Sequence, residues 1–179
     1  MKKIITNLLY ELLNILNILS NNKFFYAIFE KFEKNSYQKV KISNNEIKFF
    51  VPNNITYWRV KSLYKQEPDT INWINNFKSK NIIFWDIGAN IGIYSIYAAK
   101  VHKNIDIVSF EPSTSNLRVL SRNISINNLE NQIKINQCAL SDKKNVFEIF
   151  KETEFKEGYS MNSFGYDTDF EGKKIRQKQ

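Results

Sequence analysis

The stretch Phe84-Trp85-Asp86-Ile87-Gly88-Ala89-Asn90-Ile91-Gly92-Ile93-Tyr94-Ser95 constrains the fold of this chain more than any other. An apolar run from Ile82 to Trp85 leads into it and an Ile/Tyr/Ala-rich helical pattern leaves it, which predicts a buried strand, a tight turn and a helix start. Gly88 and Gly92 carry no Cβ, so the backbone can turn sharply, and a ligand can approach the free N–H groups at the helix N-terminus. A second apolar run, Ile105 to Phe110, ends in Glu111-Pro112, nineteen residues after Gly92. A carboxylate at the carboxyl end of a neighbouring strand can accept both hydroxyls of a ribose.

The spacing separates two cofactors. A dinucleotide site uses G-x-G-x-x-G, whereas this turn reads Asp86-x-Gly88-x-x-x-Gly92 and has Asn90 where a second glycine would admit a pyrophosphate. NAD is therefore disfavoured. Asp86, ahead of the turn, suits a ligand with a cationic end, and S-adenosylmethionine has both a sulfonium and an ammonium. The competing reading makes Asp86 a cap of the turn. A carboxylate that ends an apolar strand at a glycine-rich loop favours ligand contact instead.

With these residues in place, the sequence resembles the FkbM-type methyltransferases, class I S-adenosylmethionine-dependent enzymes that O-methylate sugars or secondary metabolites. The resemblance rests on Asp86-Ile-Gly-Ala-Asn-Ile-Gly92, on Phe110-Glu111-Pro112-Ser113 followed by Asn116-Leu117 and Arg122-Asn123-Ile-Ser-Ile-Asn127, and on Ala139-Leu140-Ser141-Asp142. Glu67-Pro68-x-Thr70 and Trp73-Ile74 look like the family's lead-in, so it covers about residues 40 to 165. It implies that Asp86, Gly88, Asn90 and Gly92, with Ala89 between them, line the methionine end of the donor. It also implies that Glu111 holds the ribose and that Cys138-Ala139-Leu140 flanks adenine, with a small molecule or glycan as acceptor.

Composition narrows the alternatives. At 179 residues and 42% hydrophobic, the chain can bury a real core. One cysteine, Cys138, and one histidine, His102, leave neither a disulfide framework nor a zinc cluster, so no metal is expected and a reducing cytoplasm fits. Residues 1–80 hold 13 basic against 6 acidic side chains, so nearly all of the net charge of +8 precedes the turn. Scattered lysines read as a solubilising surface rather than a nucleic-acid interface. A nucleic-acid methyltransferase, resting on basicity alone, is one competing function. A non-catalytic fragment or partner subunit that keeps the donor-binding half is another.

The expected organisation is an N-terminal helical and β-hairpin extension, residues 1–80, followed by a donor-binding domain, residues 81–179. Residues 3–20 have helical spacing with a wide apolar face, but their longest apolar run is Leu8-Leu9-Tyr10, too short for export or a membrane span. Packing on the domain is the first reading of this helix, and peripheral membrane contact or a partner is the second. Helix continues from Phe24 to about Lys34, and Tyr37 to Val51 forms a hairpin turning at Asn44-Asn45. Then come a short helix from Pro68, strand 82–86, helix 91–101, strand 105–110, helix 114–127, strand 133–138, a further strand 146–150, a polar loop 158–163 and a solvated tail. This alternation predicts an α/β, doubly wound, mostly parallel Rossmann-like sheet with ligand at the strands' carboxyl ends.

Ile82 to Gln179 is 98 residues, and a βα step takes about 25–30, so a complete class I sheet does not fit. The expectation is a truncated sheet whose first strand presents an apolar edge, with a complementing chain as a candidate partner. Asp169-Phe170-Glu171-Gly172 matches the letters of a later family motif, yet no strand pattern precedes it. No general base is named. His102 lies at the far end of the first core helix and reads as a surface residue.

Overall fold

A computed structural model describes residues 2–143, 147–169 and 171–175, and the chain divides into two compact units, Met1–Ser36 and Tyr37–Gln179. The first unit is a helical hairpin of α1 (Lys2–Leu19) and α2 (Lys23–Asn35). Its turn places Asn21 and Asn22 at positive φ and is held by side chains rather than by a core. Asn17 Oδ1 accepts from Phe25 N at 2.9 Å, Asn17 Nδ2 donates to Asn22 Oδ1 at 3.0 Å, and Ser20 Oγ accepts from Phe24 N at 3.0 Å. Asn17 is the one buried side chain of this unit among the described residues, while Ile4, Leu8, Leu12, Ile15 and Leu19 of α1 are exposed, as are Phe29 and Phe32 of α2. No helix among the described residues is long and apolar enough to cross a membrane.

The second unit opens with a hairpin, β1 (Tyr37–Ile42) and β2 (Asn45–Phe50), followed by α3 (Asn54–Lys61), α4 (Leu63–Gln66) and α5 (Pro68–Asn75). Its turn is Ser43-Asn44, with Ser43 at φ 52°, one residue earlier than the Asn-Asn expectation, because Ile42 pairs with Asn45. A capping box starts α3: Asn53 Oδ1 accepts from Ile55 N and Thr56 N, and Thr56 Oγ1 accepts from Asn53 N. The compact units part at Ser36, ahead of the hairpin.

The α/β core follows as β3 (Ile82–Ile87), α6 (Ile93–Val101), β4 (Ile105–Phe110), α7 (Thr114–Ser125) and β5 (Ile133–Asn136). The strands are parallel in the order β3-β4-β5, in a Rossmann-like α/β arrangement. Ile96, Ala98, Ile107, Val119, Leu120 and Ile133 pack its helix-covered face. Among the described residues β3 is an edge strand, and its Ile83, Trp85 and Ile87 are 76%, 59% and 62% exposed. Ile83 and Trp85, with Trp73 and Phe77, border an apolar cavity of about 590 Å³.

Three expectations need correction. Strand β5 stops at Asn136, since its ladder with β4 ends there, and residues 137–140 are irregular. The strand expected over 146–150 is absent across 147–149, where Phe147 is 98% exposed; pairing begins only with β6 (Phe150–Lys151), antiparallel to β7 (Ser163–Phe164). Val146 lies outside the described residues. The tail also folds back in part: Lys174 bridges to Thr168 and Ile175 is buried, while 176–179 lie outside the described residues. At Asp169, Oδ1 accepts from Glu171 N and Lys173 N, which makes the segment a turn; Phe170 lies outside the described residues.

Candidate functional site

The site forms where β3 and β4 end. Gly88, Asn90 and Gly92 all take positive φ, at 76°, 52° and 82°, so the chain reverses in five residues between strand and helix. Gly92 is also a packing requirement, because a Cβ there would lie 2.4 Å from Leu120 Cδ1. Four of the five amides of this turn already have partners. Gly88 N and Ala89 N both donate to Phe110 O, at 2.9 and 3.0 Å, Gly92 N donates to Ala89 O, and Asn90 N donates to Glu111 Oε2 at 2.7 Å. The turn is therefore a shaped wall rather than an anion-binding cradle, and recognition falls to side chains.

Glu111 is 5% exposed and held from three directions. Besides Asn90 N, its Oε1 accepts from Ser113 N at 2.9 Å and from Asn116 Nδ2 at 3.3 Å. A carboxylate has about four acceptor sites, so Oε2 keeps one for a ligand hydroxyl. Asp86 is equally buried but turned away. Its Oδ2 accepts from Ser95 N at 3.0 Å and from Ser95 Oγ, and Ser95 Oγ contacts Ser109 Oγ at 2.7 Å. Burial, only partly offset by those bonds, raises its pKa, and the nearby Glu111 and Glu67 charges add to the shift. Geometry makes Asp86 a cap beneath the turn, and it lines neither of the cavities described next.

Residues 157–160 close over the turn. Asn116 Oδ1 accepts from Gly158 N at 2.8 Å, Asn116 Nδ2 and Asn90 Nδ2 donate to Tyr159 O at 3.1 and 3.0 Å, and Arg59 Nε donates to Gly158 O. Two cavities result. One of about 200 Å³ is lined by Glu111, Pro112, Asn116, Phe150, Tyr159 and Asn162, and the other, of about 300 Å³, by Arg59, Leu63, Gln66, Glu67, Ala89, Ile91, Ile93 and Tyr94. Gly88, Asn90 and Ser160 border both. Asn90 Oδ1 is buried there without a hydrogen-bond partner among the described residues.

Of the expected residues, the structure thus gathers Gly88, Ala89, Asn90 and Glu111 at the cavities. Gly92 shapes the turn from behind. Ala139 is half-buried in the irregular stretch after β5 and lines neither cavity. The sequence supported no site claim for Arg59, Tyr94, Asn116, Tyr159 or Ser160. Asn116 had a readable signal: it lies on the α7 face that carries Val119, Leu120 and Asn123, all buried. His102 Nε2 donates to Ile74 O at 2.7 Å and its ring stacks on Phe77, a structural role at the far end of α6. Among the described residues, no group of three or more His, Cys, Asp or Glu side chains could hold a metal ion.

A parallel sheet with a glycine turn after its first strand and a buried carboxylate after its second defines a Rossmann-like α/β class of protein. The chain belongs to the family described as Vibrio cholerae RfbT protein, which matches residues 62–179. It is also similar to Methyltransferase sdnD of Sordaria araneosa, 41% identical over 56 residues, 31% of this chain and 22% of that protein. Among solved structures, M. jannaschii TYW2 in complex with AdoMet aligns with 21% identity and a TM-score of 0.40 over 62% of this chain and 46% of that one. A SAM-dependent methyltransferase from Agrobacterium tumefaciens aligns with 12% identity and a TM-score of 0.36 over 57% and 32%. The matched stretch is less than half the length of each of these three proteins.

Proposed function

We propose that this chain binds S-adenosylmethionine and serves methyl transfer to a hydroxyl of a sugar or secondary metabolite, as an FkbM-type methyltransferase. The observation that carries the reading is Glu111, a buried carboxylate at the end of β4 that keeps an acceptor position toward a cavity beside the Gly88–Gly92 turn. The likeness to Methyltransferase sdnD supports it. So does the donor set, since a nucleoside with hydroxyls and no phosphate matches a turn in which four of five amides are already committed. The bound donor supplies an electrophilic methyl carbon on its sulfonium. The protein's task is then to hold the ribose at Glu111, exclude water beneath residues 157–160 and orient an acceptor oxygen. A third cavity of about 350 Å³, lined by Ile55, Trp58 and Met161, shares Arg59 and Ser160 with the second and offers the acceptor an aromatic wall.

Calorimetry with S-adenosylhomocysteine tests the reading on wild type and on Glu111→Gln, which preserves the side chain's size. Losing the charged hydrogen bond to ribose weakens binding by about 1.5–3 kcal/mol. Equal affinity in both proteins, or tighter binding of NAD than of the homocysteine derivative, refutes it.

A further inference from the structure

The 300 Å³ cavity holds an arrangement that ribose recognition does not use. Arg59, on α3, donates through Nε to Gly158 O, and its two terminal nitrogens have no hydrogen bond or ion pair among the described residues. Glu67, at the start of α5, accepts from Thr70 Oγ1 at 3.1 Å and otherwise faces Tyr94. The two charges line one cavity without forming an ion pair with each other. Burial and the Glu67 carboxylate push the Tyr94 phenol well above its ordinary pKa, so the hydroxyl stays protonated and can orient that carboxylate.

Resting on the donor reading above, we propose that this cavity clamps the zwitterionic end of the donor, with Arg59 binding the α-carboxylate and Glu67 the α-ammonium. A guanidinium with two free nitrogens matches a carboxylate in a two-bond fork. A carboxylate lining the same cavity complements the ammonium on the same carbon. A neutral acceptor would need neither charge, and a diphosphate would be repelled by Glu67. Connectivity agrees, because Gly88, Asn90 and Ser160 border both cavities, so a ligand whose ribose meets Glu111 passes its other end across Asn90 into the space between Arg59 and Glu67. Asp86, the residue expected to meet the cationic end, is turned onto Ser95 and does not line this cavity.

The test uses the full chain and two ligands that differ at this end. S-adenosylhomocysteine keeps the zwitterion, and 5′-methylthioadenosine lacks it. Titration calorimetry on wild type, Arg59→Lys, Arg59→Ala and Glu67→Gln should show S-adenosylhomocysteine weakened by about tenfold or more in Arg59→Ala and Glu67→Gln, and 5′-methylthioadenosine changed by less than about threefold. Arg59→Lys should fall between wild type and Arg59→Ala, since an ammonium keeps the charge and loses the fork. Glu67 is exposed, so Glu67→Gln folds whatever happens when Arg59 releases Gly158. If the variants weaken both ligands alike, or neither, the clamp is wrong while the donor reading stands. If wild type binds neither ligand, the donor reading fails and takes the clamp with it.

Discussion

Replacing Asn123 with alanine should cost the second unit far more than replacing Asn127, four residues on. The side chain is fully buried and bridges two elements: Oδ1 accepts from Phe50 N at 2.7 Å, at the end of β2, and Nδ2 donates to Ile91 O at 2.9 Å, inside the glycine turn. One helical turn later Asn127 makes the same kind of bridge to Lys48, accepting from its N–H at 3.3 Å and donating to its carbonyl at 2.7 Å, but in an exposed place. In Asn123→Ala, the Phe50 amide and the Ile91 carbonyl lose their partner away from water, at about 1–3 kcal/mol each, so the total is about 2–6 kcal/mol. In Asn127→Ala, water replaces the side chain, and the loss should stay below about 1 kcal/mol. Urea unfolding followed by tryptophan fluorescence measures this unit alone, because Trp58, Trp73 and Trp85 all lie within it. The midpoint should fall in Asn123→Ala with an unchanged slope. Equal losses in the two variants would show that the buried asparagine is not the link between hairpin and turn.

The two glycines of the turn should respond differently to alanine. Gly88→Ala meets open space and pays only for a positive φ, about 1–2 kcal/mol, whereas Gly92→Ala adds the collision with Leu120 and should lose about 2–5 kcal/mol in the same melts; equal losses would remove the packing argument. Asp86→Asn tests the cap. Because burial raises the folded-state pKa of Asp86, its favourable contribution is complete below the unfolded value near 4 and is lost as pH rises through the folded value. The asparagine, still able to accept from Ser95, should therefore gain stability relative to wild type as pH rises from about 3 to 7. A relative loss over that range would mean that the ionised carboxylate is the stabilised form.

The core was legible where a pattern of one period ran uninterrupted. Ile82 to Phe84 and Ile105 to Phe110 read as strands and are strands, and the carboxylate after the second sits where a strand end puts it. Side-chain direction was less legible. Whether Asp86 points to a ligand or to Ser95, nine residues on, depends on how the turn closes, and composition says nothing of that. Helix α3 escaped notice because Ile55, Tyr57, Trp58 and Val60 fit no single face, and its start is specified by the local Asn53–Thr56 box instead. Arg59 went with it. At Phe147 and Ile149 the error ran the other way, since alternation makes a strand only where a partner edge is available, and these residues face solvent.

The α1–α2 hairpin has a shape written in hydrogen bonds rather than in oil. Asn17, Asn22 and Ser20 hold its turn from within, and aliphatic side chains cover much of its outside. Water competes with such bonds, and a medium of low dielectric strengthens them while also welcoming the outer face. Its response to solvent is thus opposite to that of an ordinary globular unit, and a mild detergent that loosens most small proteins would make this hairpin more helical and its turn more rigid.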